Sequence, residues 1–136
     1  YELMKDRPDV QRGWLEAELD AQLFLADIKN AGAVTKMAEA QTEGLEAKTL
    51  WYSLYGDVPA SMGGGSSKLT LDFVFNDKVK KLLAASTKFL HNGKKVPADT
   101  LRAGAVDDAM AREVLASRGL KSPVGEIKGQ PMSTFK

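Results

Sequence analysis

One residue that could do acid–base chemistry is the single histidine, His91. A catalytic histidine needs a nucleophile or an acid that orients it, and nothing in the sequence indicates such a partner. The histidine follows an amphipathic run, at the end of a predicted helix, where the helix dipole favours its charged form. We therefore interpret His91 as a structural residue and predict no catalytic residues.

A pair of neighbouring acids, Asp107 and Asp108, could be considered as metal ligands. Adjacent positions on a helix diverge by about 100°, so the two carboxylates would not converge on one ion without help. Acids at the start of a helix are also stabilised by the positive end of its dipole. The second interpretation is favoured, and neither a metal nor a cofactor is predicted.

A glycine-rich run, Gly63-Gly64-Gly65-Ser66-Ser67, superficially resembles a phosphate-binding loop. A phosphate loop requires a following lysine and a hydroxyl residue that open a helix, whereas this run leads into a strand-like segment. The favoured interpretation is a mobile loop. The alternative is a loop lining a ligand cleft, since glycine lets backbone N–H groups approach an anion.

Three aromatic residues, Trp51, Tyr52 and Tyr55, could form a wall for a small ligand. Trp51 and Tyr55 are four residues apart on a predicted helix, a spacing that is also typical of core residues. Tyr52 lies off that stripe and fits a cleft better. The candidate ligand-binding residues are Tyr52, Tyr55, Gly63, Gly64 and Gly65.

The elements that position these residues are mainly helical. Hydrophobic periodicity predicts helices over 8–27, 31–42, 46–55, 78–91 and 106–118, and a turn of helix over 97–103. Alternation over 69–75 predicts one short strand, for which we find no partner strand in the sequence. Residues 121–136 contain two prolines and two glycines and are predicted to form an extended tail over the surface.

The first and fourth predicted helices carry apolar residues in stripes. The first has one row made of Val10, Trp14, Ala17, Ala21, Phe24 and Ile28, and a second made of Leu15, Leu19 and Leu23. The fourth has one row made of Val79, Leu82, Leu83, Ser86, Phe89 and Leu90, with lysines facing water. Because a helix at the edge of a domain needs only one apolar stripe, the first helix is expected to pack on two sides. One of those partners is expected to be another lobe or another chain.

Length and composition limit the possibilities. The chain has 136 residues, which suits a single unit with one core. Its net charge of +1 gives no broad attraction to nucleic acid. The absence of cysteine excludes disulfides and thiolate chemistry, and no apolar run approaches the roughly 18 residues of a membrane span.

Several motifs resemble a known family. They are Arg7-Pro8-Asp9-Val10 with the helix that ends in LFLAD, LWYSLYG over 50–56, Phe73-Val74-Phe75-Asn76-Asp77, and the segment over 107–125 that contains Gly119-Leu120-Lys121-Ser122-Pro123-Val124-Gly125. Together they resemble the carboxyl-terminal part of ABC-transporter substrate-binding proteins of the nitrate, sulfonate, taurine and thiamine-pyrimidine group. The similarity covers nearly the whole chain, and its motifs are structural.

This resemblance implies a function. The complete protein would have two α/β lobes around a cleft, in the type II periplasmic-binding-protein-like fold, and would be periplasmic or extracellular. It would deliver a small anionic or heteroaromatic solute to a membrane permease and would not be an enzyme. The present chain would be the helical segment after the second crossover, and a missing lobe or a second copy would cover it. The alternative is a free-standing helical interaction or dimerisation domain. An enzyme of thiamine-pyrimidine synthesis shares the family fold and is the third possibility.

Overall fold

The computed structural model describes residues 5–64 and 68–135, which form five α-helices and one two-stranded sheet. The elements are α1 (Pro8–Ala26), α2 (Ala31–Gln41), α3 (Ala47–Tyr55), β1 (Leu69–Leu71), α4 (Asp77–Asn92), α5 (Ala109–Ser117) and β2 (Gly125–Ile127). Short 3-10 helices occupy Ile28–Asn30, Ala60–Met62 and Met132–Thr134. The mainly helical class is thereby confirmed. The described residues do not support a two-lobed fold by themselves, because their sheet has only two strands.

The predicted strand does have a partner within the chain. β1 pairs antiparallel with β2, with Leu69 opposite Ile127 and Leu71 opposite Gly125. The interpretation of β1 as an unpaired strand was therefore wrong. Periodicity could not find β2, because a three-residue strand that begins with glycine carries no measurable alternation. β1 is also shorter than predicted, since the chain bends at Phe73 and Val74.

The inner face of α1 builds the first part of the core. Leu19 is fully buried, and it packs in a cluster with Phe73 and with Val114 and Leu115 of α5. Leu15 and Leu23, one turn to either side of Leu19, are partly buried against the same cluster. The leucine row is therefore the row of α1 that the rest of this chain covers.

The end of α5 follows the predicted stop signal. Gly119 has a φ of +65°, a conformation that glycine adopts without steric cost. The amide of Leu120 donates to the carbonyl of Leu115 at 2.9 Å, which together with the Gly119–Ala116 bond forms a Schellman motif. Leu120 then packs on the first cluster, so the motif returns the chain to the core.

A second core cluster holds α2, α3 and the tail together. Its buried members are Ala31, Trp51, Tyr55 and Ile127. Phe135 packs edge-on against Trp51, with ring centroids 5.8 Å apart and an angle of 63° between the rings. The segment predicted as a surface tail therefore supplies one strand and, through Ile127 and Phe135, two side chains of the second cluster.

The second half of the chain is more open. Asn76 caps α4 by accepting a hydrogen bond of 2.9 Å from the amide of Val79, but no residue of α4 is buried. α5 begins at Ala109 rather than at Val106. The helical turn predicted over 97–103 is absent, since these residues form bends and irregular structure.

Candidate functional site

Tyr52 lies at the carboxyl end of α3, beside a lysine that the sequence did not single out. The ammonium of Lys68 donates to the carbonyl oxygens of Tyr52 at 3.2 Å and Gly56 at 2.9 Å. It also lies 5.6 Å from the centre of the Tyr52 ring. A cation in this position stabilises the negative end of the helix. Tyr52 is 37% exposed and so remains accessible to a ligand. The ammonium of Lys68 is already hydrogen-bonded to the two backbone carbonyls.

Two glycines of the predicted ligand loop use their backbone amides for hydrogen bonds within the loop. Gly63 adopts a φ of +84° and donates its amide to Ala60, while the amide of Gly64 donates to Pro59 at 3.1 Å. A Cβ at Gly64 would lie 1.5 Å from the carbonyl oxygen of Val58, so no other residue fits there without movement. Neither amide is free to bind an anion. Gly65 lies outside the described residues.

Tyr55, the remaining predicted ligand residue, is a core residue. It is fully buried, and its hydroxyl donates to the carbonyl oxygen of Leu25 at 3.0 Å. Burial also raises the pKa of the Tyr55 phenol above its ordinary value, so it is neutral at physiological pH. A solute cannot reach this side chain while the chain is folded as described, and the core alternative for Trp51 and Tyr55 fits the structure.

The titratable residues considered for catalysis or for metal binding have structural partners. His91 is half-buried, with Nδ1 at 3.2 Å from the carbonyl oxygen of Val96. Asp107 accepts from the amide of Ala109 at 3.0 Å, as the helix-start interpretation requires. Asp108 accepts two hydrogen bonds from the guanidinium of Arg112, at 2.9 and 2.8 Å. Among the described residues, no group of three or more metal-binding side chains comes together.

One described cleft was not predicted from the sequence. It has a volume of about 820 Å³ and lies between the start of α1, the start of α5 and residues 102–108. Its charged lining residues are Lys5, Arg102, Asp107, Asp108 and Glu113. Their mixed signs select neither anions nor cations, and Glu113 is itself paired with Arg12. Tyr52, Gly63 and Gly64 do not line this cleft.

The outer face of α1 is the first of two exposed apolar surfaces. It is formed by the row that the leucines leave uncovered: Val10 and Phe24 are each 40% exposed, and Trp14 is 74% exposed. The 3-10 residue Ile28 continues the row and is 45% exposed. Tryptophan is the side chain with most to gain from burial, so this face is a candidate contact surface.

The outer face of α4 is the second exposed apolar surface. Leu82 is 64% exposed and Phe89 is 77% exposed, although both belong to the predicted amphipathic stripe. The described residues cover only the edge of this stripe, at Val79 and Leu83. Exposed lysines flank it: Lys78, Lys80, Lys81 and Lys88. This surface is therefore both apolar and basic.

Comparisons with known proteins leave the chain without an assigned family: no family model, no curated protein and no solved structure matches it. None of the described helices is long and apolar enough to cross a membrane.

Proposed function

We propose that this chain is the carboxyl-terminal portion of a solute-binding protein of an ABC transporter, and that the outer face of α1 lies against the first lobe of that protein. The observation that carries the proposal is the two-sided α1: Leu19 is fully buried while Trp14, on the opposite side, is 74% exposed. A helix between two packed bodies needs both rows, and the resemblance implies this position for it.

The energetics favour a protein partner for this face. Burying a large apolar side chain contributes about 1.5–3 kcal/mol, so covering Val10, Trp14 and Phe24 together would contribute several kcal/mol. A soluble chain gains nothing from keeping such a row in water. The row runs from Val10 to Phe24, a separation of 14 residue steps, which corresponds to about 21 Å of helix at 1.5 Å per residue.

The motifs that carry the resemblance have structural roles, which supports the same proposal. LWYSLYG places Trp51 and Tyr55 in the second cluster and ends α3 at Gly56, where a Cβ would lie 2.3 Å from the Tyr52 ring. Gly119 and Leu120 close α5. With no matching family model, the resemblance depends on these motifs alone.

The proposed activity is binding without chemical conversion. Two lobes would close on a small organic or anionic solute, such as a sulfonate, nitrate, taurine or a pyrimidine, and present it to a permease outside the cytoplasm. Affinity would come from hydrogen bonds and desolvation in the cleft, and domain closure would shift the population of states. Among the predicted ligand residues, Tyr52 alone keeps an accessible side chain in the described structure.

The α1 contact can be tested through the fluorescence of Trp14. Trp51 is 3% exposed and would add its own fluorescence, so it is removed to leave Trp14 as the single tryptophan of the 136-residue chain. In a Trp51→Phe variant, acrylamide should quench Trp14 strongly in the 136-residue chain and weakly in the longer gene product. Equal quenching in both proteins would overturn the proposed position of α1. Protection that rises with the concentration of the 136-residue chain would instead favour the alternative, a dimerisation domain.

The binding activity is tested on the longer gene product. Isothermal titration with taurine, an alkanesulfonate, nitrate and a thiamine pyrimidine should give saturable binding of one of them, with the solute recovered unchanged. Chemical conversion of the solute would exclude a binding protein. Absence of binding to all four would remove the solute class from the proposal.

A further inference from the structure

We infer that α4 is an interfacial helix that docks on the surface of an anionic lipid bilayer, with Leu82 and Phe89 entering the headgroup region. The inference does not rest on the proposed function, because it concerns a different helix and a different partner. It starts from an imbalance in the structure: α4 has 16 residues, and none of them is buried.

The apolar part of this surface is a narrow ridge. Leu82 and Phe89 are seven residues apart, two helical turns, so they lie on one side of α4. The protein holds α4 by another side, since the half-buried residues form a row at four-residue spacing: Val79, Leu83, Thr87 and His91. The ridge therefore projects away from the body of the chain while the helix itself stays attached.

The charges around the ridge are mainly positive. Between residues 77 and 95 the sequence has six lysines and a single acid, Asp77. The lysines are Lys78, Lys80, Lys81, Lys88, Lys94 and Lys95, all of them exposed. None makes an ion pair with another described residue; the described ion pairs all use arginine. This local charge is far above the net charge of +1 for the whole chain.

The combination of shape and charge matches a bilayer surface. Lysines beside an apolar ridge can extend their ammonium groups toward phosphates while their methylene stems lie along the hydrocarbon boundary. A polar face rich in lysine, next to a limited apolar surface, distinguishes a helix that lies on a bilayer from one that spans it. α4 has four lysines among its 16 residues, more than any other described helix has.

The inference is tested with the 136-residue chain and lipid vesicles. Sedimentation is measured with vesicles of phosphatidylcholine and phosphatidylglycerol at 3:1, and with phosphatidylcholine alone. We expect binding to the mixed vesicles and little to the neutral ones. Raising salt from 0.1 M to 1 M should weaken binding at least tenfold, because the screening length falls from about 10 Å to about 3 Å.

Variants separate the ridge from other exposed apolar residues. The double variant Leu82→Ser, Phe89→Ser should lose at least tenfold in binding, and Lys81→Gln should lose about fivefold. Trp14→Ser is the matched control, since it removes an equally exposed apolar side chain from α1, and its binding should be unchanged. Circular dichroism and thermal unfolding confirm that each variant is folded.

Two results would overturn the inference. One is the absence of binding to the mixed vesicles at 0.1 M salt, which would leave an acidic protein as the partner of α4. The other is loss of binding in Trp14→Ser with retention in the double variant, which would move the contact to α1. The first result leaves the proposed function untouched, whereas the second would also give the outer face of α1 a partner other than the first lobe.

Discussion

The hydroxyl of Tyr55 donates a hydrogen bond of 3.0 Å to the carbonyl oxygen of Leu25, joining α3 to the last turn of α1. The last carbonyls of a helix have no partner within the helix and need one from outside. Here the partner is a fully buried side chain that also belongs to the second core cluster. This bond therefore satisfies one carbonyl of the last turn of α1 and links that turn to α3.

Removing this hydroxyl should destabilise the chain. Tyr55→Phe leaves a carbonyl without its partner, and we expect a loss of about 1–2 kcal/mol in the free energy of unfolding, measured by urea denaturation. Tyr52→Phe is the matched control, since its ring is exposed and its change should stay within about 0.5 kcal/mol. Equal effects of the two changes would mean that the Tyr55 bond contributes nothing.

The same residue predicts a loss of stability in alkali. Burial raises the pKa of Tyr55 in the folded state, so the folded state holds this proton more tightly than the unfolded state does. The contribution is fully present below the unfolded pKa of about 10 and is lost as the pH rises through the folded pKa. Above pH 10, the unfolding temperature should fall more steeply with pH for the wild type than for Tyr55→Phe. Parallel curves would contradict this.

Helices were predictable from the sequence, and the contacts that join them were not. The rows of α1 and α4 repeat at helical spacing, so local periodicity locates both helices. Which row is covered depends on the tertiary partner: Leu19 is buried against α5, whereas Trp14 is 74% exposed. β2 was missed for the related reason that its strand character comes from pairing with β1 rather than from its own residues.

The two faces of α1 should differ sharply in mutational cost. Leu19→Ala creates a cavity in the first cluster and should cost about 2–5 kcal/mol. Trp14→Ala removes a larger side chain from the outer face and should change the stability of the 136-residue chain by less than about 0.5 kcal/mol. Chemical denaturation of both variants measures the difference. A large cost for Trp14→Ala would mean that the chain itself covers this residue.

Two residues of the predicted ligand site, Gly63 and Gly64, use their backbone amides within a turn. Glycine-rich loops bind anions only when their amides are free, and a sequence cannot tell whether those amides are already used. In the structure Gly63 and Gly64 both donate to residues of the preceding 3-10 turn. Lys68 was missed because it stands alone in sequence, and its role depends on the carbonyls at the end of α3.

The structural role of Gly64 can be tested by comparison with Gly13, a glycine of α1. Gly64→Ala places a Cβ against the carbonyl of Val58 and should cost about 1–3 kcal/mol, because the loop must move. Gly13→Ala lies within α1, where an added Cβ has no neighbour within 4 Å, and should stabilise the chain by about 0.5–1 kcal/mol. The unfolding temperature should therefore fall for Gly64→Ala and rise for Gly13→Ala. Stabilisation by both changes would show that the loop accepts a side chain at Gly64.

The hydrogen bonds and ion pair of Asp108 predict how the stability of the chain changes in acid. Its carboxylate accepts from the Arg112 guanidinium and from the amide of Phe75 at 3.1 Å, so it links the start of α5 to the segment after β1. The hydrogen bond and charge of Arg112 lower the pKa of Asp108, with smaller contributions from Lys80 and the Phe75 amide. A lowered pKa means that the unfolded state takes up the proton first as the pH falls.

The stability that Asp108 contributes is therefore present above the unfolded pKa of about 4 and is lost as the pH falls through the folded value. Asp108→Asn should cost about 1 kcal/mol at pH 7, because the charge-assisted pair with Arg112 is lost. The difference in the free energy of unfolding between Asp108→Asn and the wild type should disappear below about pH 4, as measured by urea unfolding at a series of pH values. Asp107→Asn is the control, since Asp107 makes no described ion pair. A difference in the free energy of unfolding that persists at pH 2 would assign the effect to the hydrogen bond from the Phe75 amide instead of to the charge of Asp108.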